Sequence, residues 1–195
     1  MKKLLCLVVL VLLMSSVYAD KKTTFKGVLQ TPTQLSYRWE GIDAHYEVPA
    51  GLGFGVEHSF VSFARNRIEL IGGFNYMFTR NMSEAVVDGQ SYDVNANLDL
   101  MQLYFKPRFF FGRTPDKSRV SMYIAGKVAH NIININAPGE SLSDSLGMGI
   151  STGMVINNRF DLELAVDAIT GDLEMLGEMG FYGLPTISLS FGARI

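Results

Sequence analysis

Arg67-Ile68-Glu69-Leu70-Ile71-Gly72-Gly73-Phe74-Asn75-Tyr76-Met77-Phe78-Thr79-Arg80 decides the fold. Ile68, Leu70, Phe74, Tyr76 and Phe78 share one parity, while Arg67, Glu69, Asn75 and Thr79 share the other. Successive side chains of an extended strand point to opposite faces, so this stretch has one apolar and one polar face. The pattern returns at 159–170, where Phe160, Leu162, Leu164, Val166 and Ala168 oppose Asp161, Glu163 and Asp167. It returns again at 181–195, with Phe181, Ile187, Leu189, Phe191 and Ile195 against Thr186, Ser188, Ser190 and Arg194. Weaker versions at 35–48, 51–63, 94–111, 119–135 and 145–156 bring the expectation to about eight strands. Ten is the alternative count, because Thr23 to Gln30 reads as a further strand turned by Thr31-Pro32-Thr33. Within 94–111 the apolar parity slips near Met101, from Leu98 and Leu100 to Leu103, Phe105, Phe109 and Phe111. That slip predicts a β-bulge.

The chain has 195 residues, 48% of them hydrophobic, with 19 Gly and six Pro, which excludes a disordered or collagen-like protein. Residues 1–19 carry Lys2 and Lys3, an apolar run from Leu4 to Met14, and Ser15-Ser16-Val17-Tyr18-Ala19 before Asp20. They are expected to be a cleaved signal peptide. The apolar run is too short for a hydrocarbon core that needs about 20 residues. Cys6 is the only cysteine and lies inside this leader, so the exported protein holds together without disulfides. The formal charge of −2 becomes −4 once Lys2 and Lys3 are removed, and no nucleic-acid partner is implied. Residues 20–34 read as a plug, a strand or a tether, and 35–195 as a single barrel domain.

The connections alternate. Ala64 to Asn66, Gly112 to Ser118 and Asn157-Asn158 are short, whereas Asn81 to Asp93, Asn136 to Asp144 and Gly171 to Gly180 are longer. Charge divides the same way. Arg65, Arg67, Arg113, Lys117, Arg119 and Arg159 flank the short set against only Asp116, and the long set is acidic apart from Arg80. An up-and-down meander puts all the short turns at one end, as in a membrane barrel with short periplasmic turns and longer outer loops. Parity alone leaves the apolar face pointing in or out, so a soluble lipocalin-like carrier of an apolar ligand stands beside the membrane barrel. Three features favour the membrane form. Aromatics gather near strand ends (Phe60, Tyr76, Phe78, Phe109, Phe111, Phe160, Phe181, Phe191), the last strand runs to the terminal residue, and the polar parity carries both charge signs. Arg67, Lys106, Arg108, Lys127 and Arg194 against Glu57, Glu69, Asp161, Glu163 and Asp167 would have to pair in a narrow lumen.

Leu35 to Ile195 resembles the small outer-membrane β-barrel proteins of the OmpA/OmpX type, including the similar domains common in Bacteroidetes. The resemblance rests on Gly51-Leu52-Gly53-Phe54-Gly55-Val56-Glu57, on Ile68 to Tyr76, and on the alternating last strand. The family's usual last residue is aromatic, often Phe, whereas this chain ends Phe191-Gly192-Ala193-Arg194-Ile195. The resemblance implies a closed antiparallel barrel in the outer membrane of a Gram-negative-type bacterium, inserted by the barrel-assembly machinery. It also implies a monomer in contact with outer-membrane lipid and lipopolysaccharide, serving envelope structure or loop-mediated surface interaction.

Chemistry is sparse. His45, His58 and His130 lie on three strands without metal-ligand spacing. Glu57-His58-Ser59 suggests a lipid-modifying enzyme, but adjacent strand residues face opposite ways, so His58 and Ser59 cannot easily share a proton. Asp43, His45 and Glu47 share a face, read as lumen hydrogen bonding. Gly51, Gly53 and Gly55 precede no helix and so form no phosphate loop; they fit a crowded lumen or a bent strand. Trp39 lacks the Gly-x-Trp context of lipocalins. Glu140, Asp144, Asp172, Glu174 and Glu178 are candidates for Mg²⁺ or Ca²⁺ bridged to lipopolysaccharide phosphates, against solvated loop charge. No cofactor is expected.

Overall fold

Eleven strands form one antiparallel sheet that closes on itself: β1 (Thr23–Gln30), β2 (Thr33–Trp39), β3 (Ile42–Val48), β4 (Gly51–Phe63), β5 (Ile68–Val87), β6 (Gln90–Phe111), β7 (Val120–Asn136), β8 (Glu140–Leu142), β9 (Ser145–Ile156), β10 (Phe160–Met175) and β11 (Glu178–Arg194). The computed structural model describes residues 23–39, 42–136, 140–175 and 178–195, so the expected signal peptide lies outside the described residues. Eight strands make the ring, in the order β1, β4, β5, β6, β7, β9, β10, β11 and back to β1. The two ends of the chain's barrel meet directly. Ile195 N donates to Thr23 O at 2.8 Å, and Thr23 N to Ile195 O at 3.0 Å.

The count of eight holds, but one member differs from the sequence expectation. The barrel begins at Thr23, not at 35, because Thr23–Gln30 is the strand that closes the ring. Its alternation is short, with Lys26, Val28 and Gln30 inward and only Phe25 and Leu29 as large outward residues. Residues 35–48 are instead the β2–β3 hairpin, which stands above β1 and β4. It joins β11 through Phe181↔Arg38 to Gly183↔Ser36, and β5 through Ala44↔Val87 to Tyr46↔Ala85. Below this attachment β4 regains β5 at Gly53↔Met77. From Phe78 to Glu84, β5 has no ladder partner on that side among the described residues.

The expected long loops are largely strand. The stretch Asn81 to Asp93 continues β5 and β6 to a two-residue Asp88-Gly89 turn, both with positive φ (49° and 79°), the geometry of a tight hairpin. Gly171 to Gly180 likewise extends the β10–β11 ladder as far as Met175↔Glu178. At 20 and 22 residues, β5 and β6 are about twice the 9–11 that cross a membrane, so the sheet rises well beyond it.

The bulge expected in β6 near Met101 lies instead in its partner β5, opposite Leu98 and Leu100, and the parity slip of β6 itself has another reason, one that organises the whole molecule. The β6–β7 register is continuous from Asn97↔Asn136 to Phe111↔Met122. Ala96, Leu98, Leu100, Gln102, Tyr104, Lys106 and Arg108 all point inward. What changes at Leu100 is the interior itself, polar below and apolar above. The ladder irregularities lie between Ser59 and Val61 in β4, between Met77 and Arg80 in β5, and opposite Met82–Glu84 in β6.

The barrel therefore has two storeys. In the lower one, Phe105, Ile124, Val128, Leu164, Val166, Leu189 and Phe191 face out, while charged and hydroxyl side chains fill the inside around a small apolar cluster of Phe110, Tyr123, Ala125 and Val155. In the upper one, Leu35, Tyr37, Ala44, Tyr46, Val48, Met82, Leu98, Ile133, Leu173 and Leu184 form a buried apolar cluster, and polar residues such as Asn134, Asp172 and Glu174 face out. The lower storey is built for lipid outside and the upper for water outside. From Met101 to Phe111 the outward apolar row spans about 33 Å of strand, or about 25 Å at barrel tilt, the height of an outer-membrane apolar band. Aromatic contacts mark its edges. Phe54 packs with Phe74, Tyr76 and Phe78 at the upper edge, and Phe160 stacks on Phe191 at 5.8 Å at the lower.

Candidate functional site

The lower lumen holds the densest chemistry. Strand alternation aims Lys26 (β1), Glu57 (β4), Glu69 (β5), Lys106 and Arg108 (β6), Lys127 (β7), Asp161, Glu163 and Asp167 (β10) and Arg194 (β11) at the barrel axis. Five cations meet five carboxylates. Lys26 and Lys106 both contact Glu57 and Glu163, with Lys26 Nζ 2.9 Å from Glu57 Oε1 and Lys106 Nζ 2.8 Å from Glu163 Oε2. Arg108 Nη2 reaches Asp161 Oδ2 at 2.7 Å and Glu57 Oε2 at 3.2 Å, and its Nη1 lies 3.5 Å from Glu69. Arg194 Nη2 completes Glu69 at 2.9 Å, and Lys127 binds Asp167 at 2.6 Å.

Two tyrosines finish the network. Tyr104 donates to Glu57 Oε1 at 2.9 Å, and the Tyr123 hydroxyl lies 2.7 Å from Asp161 Oδ1 and 3.1 Å from Glu163 Oε2. The Arg108 guanidinium also sits 4.1 Å from the Tyr123 ring centroid, a cation–π contact. Above them, Gln102 Nε2 donates to Asn131 Oδ1 at 2.8 Å, just below the first apolar layer of Met77, Leu100 and Ile133. Such a network is costly to desolvate, and each member is tolerable only because the others are present. The space left among Lys26, Glu57, Lys106, Lys127 and Glu163 is about 20 Å³, room for roughly one water.

Of the lumen ion-pair candidates picked out in the sequence, Arg67 alone does not join. It is exposed beside the Ala64–Asn66 turn, where the chain has left the barrel wall. Lys26, Tyr104 and Tyr123 are additions. Lys26 was hidden by the weak alternation of β1, while the tyrosines lie on the inward parity of β6 and β7 and could have been read from it.

Glu57, Asp161 and Glu163 are the only carboxylate group among the described residues close enough to share an ion, but lysine and arginine already fill that space. Three of the acidic loop candidates have described side chains, and these three form no shared cluster. Asp144 lies 3.5 Å from His130, while Asp172 and Glu174 stand on the outer face of β10. The side chains of Glu140 and Glu178, like that of Trp39, lie outside the described residues.

Asp43, His45 and Glu47 face outward on the hairpin, correcting the lumen expectation; the upper interior is apolar, so Ala44, Tyr46 and Val48 occupy it. Arg38 Nε donates to Asp43 Oδ1 at 2.6 Å, and this hydrogen bond holds the Asp43 carboxyl below its ordinary range. His45 lies 3.4 Å from Glu47. The Thr23 hydroxyl lies 3.0 Å from His58 Nδ1, and the His58 ring packs edge-on against Phe60. Gly51, Gly53 and Gly55 line the crowded inner face of β4, where a Cβ would fall 2.7 Å or less from Arg80, Tyr76 or Asn75 atoms.

No family model and no curated protein sequence matches the chain. Solved structures do. The crystal structure of the outer membrane protein OprG from Pseudomonas aeruginosa matches with a TM-score of 0.58 at 14% identity, covering 91% of this chain and 96% of that one. The solid-state NMR structure of outer membrane protein AlkL in DMPC bilayers matches at 0.52 and 16%, covering 90% and 88%. The fold is that of the small outer-membrane β-barrels. Together with the outward apolar band, it places the protein in the bacterial outer membrane.

Proposed function

We propose that the protein is a non-conducting outer-membrane barrel whose lower lumen is a permanent electrostatic plug and whose upper storey presents a rigid surface outside the cell. The observation that carries this is the paired network, which fills the lower lumen and leaves a space of about 20 Å³ among Lys26, Glu57, Lys106, Lys127 and Glu163. An eight-stranded interior is only wide enough for its own side chains. The plug also suits a structural role, because it ties β1, β4, β5, β6, β10 and β11 to one another through charge pairs.

The surface role falls to the β2–β3 hairpin and the tops of β10 and β11. A groove of about 420 Å³ lies there among Tyr37, Arg38, Asp43, His45 and Phe181, and Phe181 is 72% exposed above the lipid band. On this reading the protein acts as a monomer, without catalysis, after insertion by the barrel-assembly machinery. Outer-leaflet lipid and lipopolysaccharide surround its rim, and Asp144, Asp172 and Glu174 serve as solvated surface charge. The soluble-carrier reading loses support from the outward Leu, Ile and Phe rows of the lower storey. Single-channel recording in a planar bilayer tests the plug. The expected trace has no steady steps, and regular porin-sized steps would overturn the proposal.

A further inference from the structure

Every buried cation of the lower storey meets a carboxylate. Arg80 does not. Its side chain is 3% exposed, and no Asp or Glu among the described residues pairs with it. Nη1 donates to Gln30 Oε1 at 2.7 Å, and that is where its satisfaction ends: Nε and Nη2 are buried and unbonded. Those two atoms form one edge of the guanidinium fork, the edge that grips a carboxylate with two parallel hydrogen bonds.

Its position is as telling as its chemistry. Arg80 lies opposite Leu98, at the level where the interior turns apolar. The bulge after Met77 turns it inward, and Gly51 lets its arm cross β4 toward Gln30, since a Cβ there would fall 2.7 Å from Arg80 Cδ. Met77 and Met82 flank it on β5, and their unbranched side chains repack at little cost. Among the described residues, no backbone ladder fixes the wall beside it on the hairpin side from Phe78 to Glu84. An uncompensated buried guanidinium is costly, and an anion that supplied the missing partner would bind with that cost as part of its driving force.

We propose that Arg80 is the anchor of a carboxylate-binding site at the junction of the two storeys, and that its ligand is a single-chain aliphatic carboxylate. The head docks on Nε and Nη2, and the tail lies among the aliphatic side chains of the upper cluster. This goes beyond the plug and stands without it, because the site lies above the paired network.

The test uses the full-length folded protein in phosphatidylcholine nanodiscs, with ¹⁵N-arginine labelling. Laurate, dodecanol and acetate are the probes, and the Arg80 Nε–H resonance is the readout. Laurate is expected to shift that resonance saturably and dodecanol to leave it unmoved. Acetate should require at least a hundredfold higher concentration. In Arg80→Lys, which lacks that resonance, laurate affinity is read by isothermal titration calorimetry and should fall at least tenfold although the charge is kept. Laurate affinity unchanged in Arg80→Lys, or no shift with laurate, would overturn the site. Acetate binding as tightly as laurate would overturn the aliphatic ligand. Conductance recordings on the same preparation report on the plug separately.

Discussion

Tyr123 lies directly opposite Gly153 across the β7–β9 ladder, and a Cβ on that glycine would fall 2.5 Å from the tyrosine hydroxyl oxygen. Gly73 and Tyr104 face each other in the same way across β5 and β6. In both cases the absent side chain is what lets a bulky ring lie flat against the inner wall and carry its hydroxyl to the carboxylates at the centre. The glycines are thus part of the plug, although they bear no charge.

The two pairs should answer differently to substitution. At Gly73 the three nearest atoms all belong to the Tyr104 side chain, whereas at Gly153 the Leu162 carbonyl oxygen stands 2.4 Å away as well. Gly73→Ala is expected to cost about 1–3 kcal/mol and to become nearly neutral in a Tyr104→Ala background. Gly153→Ala should stay costly in a Tyr123→Ala background, because backbone does not move aside. Urea titration of the four double-mutant corners in lipid vesicles checks both, and equal recovery at the two sites would refute the distinction.

Within the plug, Arg108 and Asp161 are each at most 1% exposed and 2.7 Å apart. Asp161→Ala leaves a buried guanidinium short of its nearest carboxylate, and a loss of about 3–5 kcal/mol is expected. The pair Arg108→Met with Asp161→Leu should lose much less than the sum of the single changes. Glu57 would retain Lys26 and Lys106, and Glu69 would retain Arg194. The temperature at which the folded band disappears on an SDS gel gives the order of the variants.

Much of this architecture was legible in the sequence, and the failures share one cause. Period-two alternation in 159–170 and 181–195 gave the face of nearly every residue, because a strand's geometry leaves no freedom in that choice. Each strand crosses two environments. Apolar character alone assigns Leu98 and Leu100 to the lipid-facing set, and polar character assigns Asp43, His45 and Glu47 to the lumen set. Both groups lie above the membrane, where the solvent on the outside is water and the sense of the pattern reverses. Residue type reports environment, and environment alone does not say which side it is on. Lys26 was missed for a different reason: eight residues with a Gly at the centre give too few alternations to stand out.

The reversal makes arginine a depth gauge. Phe105→Arg would put a charge in the middle of the outward apolar row, with an expected cost of about 2–4 kcal/mol. Asn134→Arg, outward on β7 above the flip, should change stability by no more than about 0.5 kcal/mol. Leu98→Arg, inward at the same upper level, should prevent the folded band from forming. Heat-dependent gel mobility of the three variants settles where the lipid ends, and a tolerant Phe105 together with an intolerant Asn134 would invert the assignment.

At the tip of the hairpin, Arg38 donates from Nε to Asp43 Oδ1 at 2.6 Å and from Nη2 to Oδ2 at 3.2 Å. The hydrogen bond from Arg38 lowers the Asp43 carboxyl below its ordinary value, so the folded state binds that proton less readily than the unfolded chain. The pair's contribution is therefore fully present above about pH 4, the unfolded carboxylate range, and fades as the pH falls through the lower folded value. Both groups are exposed, so the effect is confined to the order of the hairpin and leaves the barrel's overall stability almost untouched. A ¹³C-carboxyl titration of Asp43 should give a midpoint below that of a free aspartate, and Arg38→Ala should return it to the ordinary range. A midpoint unmoved by Arg38→Ala would mean that the fork does not persist in solution.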